Sequence, residues 1–139
     1  GCVEALASGP SIARNARQQL QAQLQDGKVL RELADGDLTA ITAQHVARAA
    51  EAGDELACRI LETAARALGK GLASAITLMN PQRVILGGGV TESGERYWRA
   101  VRQAVRDQVL ADMTVDIVPA ALGHDAPLWG GILLATQLV

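Results

Sequence analysis

Aromatic side chains are nearly missing from this 139-residue sequence: Tyr97, Trp98 and Trp129 are the whole complement, and phenylalanine does not occur. Their scarcity excludes a core of stacked rings and leaves almost no platform on which nucleic-acid bases could stack. The core must then be aliphatic and small, drawn from Ala, Leu, Val and Ile on closely packed helices. Charge of one sign is also wanting. Thirteen Lys and Arg face fifteen Asp and Glu, a formal net charge of -2, so the field that nonspecific nucleic-acid binding depends on is absent and no nucleic-acid partner is expected for this segment. No apolar run approaches the ~18 residues of a membrane span, and the opening GCVEALASG has no charged leader followed by a long apolar stretch. The expectation is a cytoplasmic protein without a membrane partner. Two cysteines, Cys2 and Cys58, are too few for a disulfide framework, and Cys58 lies inside an Ala- and Leu-rich helical pattern, so reduced thiols are expected.

What is present suffices for one domain or part of one: apolar types make up 49% and charged types 20%, close to average globular usage. Because the first residue is Gly1 rather than Met, the chain is expected to be part of something longer. Ser8, Gly9 and Pro10 start a helix that carries Ile12, Ala13, Ala16 and Leu20 at helical spacing to about Leu24. The Gly-punctuated stretch 25–40 reads as a loop with one short helical turn. Thr42 offers an N-cap for a helix over 43–52, Gly53 ends it, and Asp54 caps the longest element, which runs to about Met79. Ala57, Leu61, Ala64, Leu68, Leu72, Ala75 and Met79 form its apolar stripe, and Gly69 and Gly71 within it predict that another backbone approaches closely. Asn80 and Pro81 stop it.

Val84, Ile85 and Leu86 read as a buried strand, and Val115, Ile117 and Val118 as a second. Between them Ser93 is expected to cap a helix over 94–110 that buries Tyr97, Val101, Val105 and Val109 and turns Arg96, Arg99, Arg102 and Arg106 to another side. Asp125 is expected to cap a last helix, with Pro127 in its first turn and Leu128, Ile132, Leu133 and Leu134 packing inward. The resulting β-helix-β-helix order predicts a parallel α/β arrangement whose two strands are too few to stand alone, so the chain either completes a larger sheet or self-associates as a homo-oligomer.

Gly87, Gly88, Gly89 and Val90 lie between a strand and a helix start, where bare backbone N–H groups can receive phosphate. Glu92 occupies the place of the third glycine of a dinucleotide fingerprint and no Gly-Lys-Ser/Thr ending follows, so the run is open to two readings: a nucleotide-facing loop or a plain tight turn. The four arginines are read as a solvated helix face with Glu92, Glu95 and Asp107 nearby, or as a holder for phosphate. His45 falls on a capped helix, and His124 with Asp125 resembles half of an acid–base pair, although Asp125 has a capping task. Taken alone, Cys2 is a solvent thiol and Glu4 an ordinary surface carboxylate.

Taken together, Gly1-Cys2-Val3-Glu4-Ala5 with Ala7-Ser8-Gly9, the run from Met79-Asn80-Pro81 to Val84-Ile85-Leu86-Gly87-Gly88-Gly89-Val90, and Leu122-Gly123-His124-Asp125-Ala126 resemble the C-terminal half of the ROK family, which contains bacterial sugar kinases and sugar-responsive repressors. The resemblance covers nearly the whole chain. It implies a mostly helical second-lobe segment, with few parallel strands, of an actin-like (ribonuclease H-like) α/β fold, spanning residues 1–139. It further implies that Cys2 is the last cysteine of a structural Zn²⁺ site completed upstream, that Glu4 hydrogen-bonds sugar hydroxyls, and that Gly87, Gly88 and Gly89 form an ATP-facing turn working with Mg²⁺. Departures are local: Ala126-Pro127 and Gly130-Gly131 stand where the family usually has Ala-Gly and Gly-Ala, and neither the Asp-x-Gly-x-Thr phosphate loop nor the family's catalytic Asp occurs here. The expected function is the C-terminal segment of an ATP-dependent hexose or N-acetylhexosamine kinase, inactive by itself. The alternatives are the sugar-sensing domain of a repressor and a self-associating scaffold without a ligand.

Overall fold

A computed structural model describes residues 2–23 and 25–136; Gly1, Leu24, residues 137–139 and the side chains of His124 and Pro127 lie outside the described residues. The chain opens with a single helical turn, α1 (Glu4–Ala7), followed by α2 (Gly9–Ala22). The Ser8 hydroxyl accepts from the Ser11 amide at 3.3 Å and Pro10 occupies the first turn, while Ile12, Ala13, Ala16 and Leu20 are buried. The expected helix end near Leu24 thus falls two residues earlier, at Ala22. The polar stretch that follows holds α3 (Lys28–Leu33) and a 3-10 turn, Leu38–Ala40. α4 (Ala43–Glu51) starts on a reciprocal cap: the His45 amide donates to Thr42 Oγ1 at 3.2 Å and the Thr42 amide donates to His45 Nδ1 at 3.4 Å. His45 is thereby accounted for as a structural residue.

α5 (Glu55–Met79) is the spine against which α1, α2, α4 and α6 (Gly94–Arg106) pack. Its buried face is Leu56, Ala57, Ile60, Leu61, Ala64, Ala65, Gly69, Ala73 and Ile76. Ala75 and Met79, expected on that face, are exposed, because the last turns of α5 extend beyond α1, α2 and α4 and meet only the α6 side. Asn80 closes the helix in a left-handed conformation, φ 45°. Gly69 lies against α6, where a Cβ would fall 2.8 Å from the Val101 carbonyl oxygen, and Gly71 lies against Val3. Gly69 thus marks the close backbone approach expected of a glycine within a helix, whereas the nearest neighbour of Gly71 is a side chain and not another backbone.

β1 (Arg83–Leu86) and β2 (Asp116–Pro119) pair in parallel, Val84 opposite Ile117 and Ile85 opposite Val118, with α6 as the crossover. The sheet covers one flank of the core: Val84 and Leu86 pack with Ile76, Trp98, Val105 and Ile117. The strand 84–86 is not the buried one expected, since Ile85 is 64% exposed; with a helix layer on one face only, alternate residues point to an uncovered side. α6 ends at Arg106 rather than Leu110, and Ser93 makes no side-chain cap. Tyr97, Val101 and Val105 are buried as expected, while Val109 packs half-buried beyond the helix end. A 3-10 turn, Gly123–Asp125, leads into α7 (Ala126–Thr136). Asp125 belongs to that turn instead of capping α7, and Leu128, Ile132, Leu133 and Leu134, expected to pack inward, are exposed, as is Trp129. Periodicity alone cannot say whether an apolar face finds a partner. No helix of the described residues is long and apolar enough to cross a membrane.

Burial pushes the phenol of Tyr97 up from 10.0 to about 12. The folded state holds this proton more tightly than the unfolded one, so its contribution to stability is intact below pH ~10 and is lost as pH rises toward 12. Denaturant midpoints should therefore fall through that interval and fall less in a Tyr97→Phe variant; equal slopes for the two proteins would refute the assignment.

Candidate functional site

The glycine run is shaped by hydrogen bonds on both sides. Leu86 is the last residue of β1, and its carbonyl accepts from the Ala120 amide at 2.8 Å, which ties the exit of β1 to the exit of β2. Gly88 then adopts φ 101°, ψ 161°, a backbone conformation open only to glycine, and a Cβ there would meet no atom within 4 Å. The reason for glycine at this position is therefore conformation, with open space beside the backbone. Residues Gly89–Glu92 form a 3-10 turn in which the Thr91 amide and hydroxyl both donate to the Gly88 carbonyl, at 3.0 and 2.6 Å. From α6, Trp98 Nε1 donates to the Thr91 carbonyl at 2.9 Å, so the turn is anchored to a helix that is itself locked on α5.

The turn forms one wall of a cleft of about 630 Å³. Gly9 and Pro10 at the start of α2 form a second wall, and Thr42, Arg48 and Glu51 lie along the third, α4. Gly9 is the point where the three elements meet: a Cβ on it would sit 3.7 Å from the Ala43 Cβ and 3.8 Å from Val90 Cγ2. The Glu51 carboxylate reaches the start of α6, with Oε1 2.7 Å from where a Gly94 Cβ would be. A carboxylate at a helix N-terminus is favourable, and here it stands where Ser93 supplies no cap. The cleft thus offers bare backbone from two glycines, the guanidinium of Arg48 and the carboxylates of Glu51 and Glu92 in a space large enough for a small-molecule ligand.

The structure brings Gly89 into this cleft, while Gly87 and Gly88 form the approach to it from β1. Glu4 is exposed on α1, one helical turn before Ser8 and Gly9, and does not line the cleft. Cys2 is exposed beside a separate shallow cavity against α5, near Lys70 and Ser74. Among the described residues no three side chains of His, Cys, Asp or Glu gather as a metal site. The backbone of His124 lies in the turn before α7 and Asp125 is exposed. The arginines divide: Arg102 stacks over Trp98 at 5.2 Å and pairs with Glu95 at 3.8 Å, whereas Arg96 and Arg99 line a groove toward α5. Residue patterns gave no sign of Arg48 and Glu51 as cleft residues, because they read as the polar face of an ordinary amphipathic helix.

The sequence matches the model of the ROK family over residues 1–138. The chain belongs to the ROK family. It is 31% identical over 140 residues to the glucokinase of Streptomyces coelicolor, covering 99% of this chain and 44% of that protein. It is also 30% identical over 126 residues to the DNA-binding transcriptional dual regulator NagC of Escherichia coli, covering 89% of this chain and 29% of the regulator. The crystal structure of a ROK family glucokinase from Streptomyces griseus, in complex with glucose and AMPPNP, superposes with a TM-score of 0.88 at 34% identity, over 99% of this chain and 45% of that one. This ROK chain spans less than half the length of these relatives. Its mostly helical architecture with a parallel pair of strands is that of the ROK sugar kinases, as the expected actin-like fold requires.

Proposed function

We propose that this chain is the C-terminal portion of an ATP-dependent sugar kinase acting on a hexose or N-acetylhexosamine. The observation that carries the reading is the superposition of nearly the whole chain on the glucokinase complexed with glucose and AMPPNP. In this reading Gly87, Gly88 and Gly89 face the nucleotide. Open space beside Gly88 and the bare backbone along the cleft fit a phosphate chain approaching closely, with Mg²⁺ supplied by solution. Glu4, exposed and unhindered on α1, accepts hydrogen bonds from sugar hydroxyls. The sugar hydroxyl oxygen attacks the terminal phosphorus, the bond to the departing diphosphate breaks, and the hydroxyl proton passes to a base that this chain does not supply. The described residues contribute positioning and backbone dipoles alone.

A second reading is favoured by one observation, the similarity to the transcriptional regulator over most of this chain: the same lobe would sense a sugar in a repressor. Full-length protein with saturating ATP and Mg²⁺ decides between them. Release of ADP that depends on glucose, N-acetylmannosamine or a related hexose is the expected result, and none with any of them overturns the kinase reading. Glu4→Ala should raise the sugar KM by roughly tenfold to a hundredfold, the range for losing hydrogen bonds to a charged acceptor. An unchanged KM removes Glu4 from the site. Cys2 by itself does not fit a zinc ion, since tetrahedral sites need three or four ligands; the proposed Zn²⁺ draws its others from outside this chain, and metal analysis of the full-length protein should find about one per chain. A cytoplasmic location and self-association belong to the same reading, and light scattering should show an oligomer.

A further inference from the structure

α5 and α6 are in closest contact at Gly69, and beside that contact they leave a groove of about 450 Å³ that shares no lining residue with the glycine-turn cleft. Glu62 and Arg66, one helical turn apart on α5, face Arg96, Arg99, Gln103 and Asp107 along one stripe of α6. Three guanidinium groups therefore share the groove with two carboxylates. Each carboxylate already has a partner: Glu62 pairs with Arg96 at 3.6 Å, and Asp107 accepts from Gln103 Nε2 at 2.6 Å. Arg66 and Arg99 have no ion pair among the described residues, although they open onto the same space from two different helices. Two guanidinium groups that open onto one space without an ion pair of their own can close on an anion between them, and their planar N–H donors match phosphate oxygens in pairs.

We propose that this groove binds a phosphate dianion, either inorganic or as the monoester of a small molecule, through Arg66 and Arg99. The volume admits a sugar monophosphate as readily as free phosphate. The site would report to the glycine turn through α6, because Trp98, next to Arg99, holds the Thr91 carbonyl. That a sugar phosphate is one of the ligands to try rests on the proposed kinase reading; the binding chemistry does not.

The test is isothermal titration of the full-length protein, saturated with a non-hydrolysable ATP analogue, with inorganic phosphate and with glucose 6-phosphate at physiological salt. Binding of at least one of them is expected, about tenfold weaker or more in Arg66→Ala and in Arg99→Ala, as for loss of a charged hydrogen-bonding partner. It should be unchanged in Arg83→Ala, whose arginine is an exposed partner of Asp116 on the sheet. Tighter binding of the ester assigns the groove to sugar phosphates, and tighter binding of the free ion to phosphate itself. No binding of either probe, binding insensitive to Arg66 and Arg99, or equal weakening by Arg83→Ala would each overturn the proposal. None of these outcomes depends on whether the protein phosphorylates a sugar.

Discussion

Asp54→Ala should lower the unfolding free energy by roughly 3–5 kcal/mol, well beyond the ~1 kcal/mol typical of a single helix cap. The side chain is buried and works at two helix starts together. One carboxylate oxygen accepts from the Ala57 amide of α5 at 3.1 Å; the other accepts from the Val29 and Leu30 amides of α3 at 3.1 and 3.3 Å. Alanine would leave three amide donors without their partner, those of Leu30 and Ala57 in buried bonds, and the penalty for a buried donor left unpaired is larger than the net gain of the bond it replaces. Asp54→Asn retains a single acceptor oxygen, so it should serve one helix start and cost about half as much. Denaturant unfolding measures the totals, and amide exchange at Val29 and Leu30 locates the loss in α3. A loss under ~1 kcal/mol in the alanine variant would show that α3 docks without this carboxylate. The consequence for the cleft is direct, because Asp54 sits at the corner that joins α5 to α4, and α4 forms one of its walls.

Gly69→Val should cost about 3 kcal/mol and disturb the glycine turn as well. An added Cβ falls 2.5 Å from the Ala104 Cβ and 2.8 Å from the Val101 carbonyl oxygen. The second neighbour is backbone inside a helix and cannot rotate away, so α6 must move as a body. Trp98 on α6 holds the Thr91 carbonyl, and the displacement would be passed to the turn and, in a kinase, raise the nucleotide KM. Gly71→Ala provides the contrast. Its Cβ meets only the side chain of Val3, which is partly exposed near the chain start and free to turn, while alanine gains ~1 kcal/mol of helix propensity. That variant should be within about 1 kcal/mol of the parent. Equal losses at the two positions would mean that the α5–α6 contact yields as easily as Val3 does.

Much of the candidate site was readable only in pieces. The glycines of the turn announced themselves by lying between an apolar run and a helix, and Gly88 does take a conformation reserved for glycine. Glu4 and Cys2 stood out only through likeness to a family, since a lone carboxylate and a lone thiol have no pattern of their own. Arg48 and Glu51 gave no signal, and the dual task of Asp54 was half visible: the cap on α5 follows from its place before Glu55, whereas the bonds to α3 span 24 and 25 residues.

The order and type of the main elements were determined by sequence alone, because caps, glycine stops and apolar periods act within a few residues of one another. Which apolar faces are covered was decided by the tertiary structure. Ile85 and the leucines of α7 follow the same patterns as buried residues yet are exposed, since burial requires a second surface that the local pattern does not contain. The cleft and the arginine groove likewise exist only where α2, α4, α5, α6 and the turn come together, and the distances that define them join residues far apart in the chain.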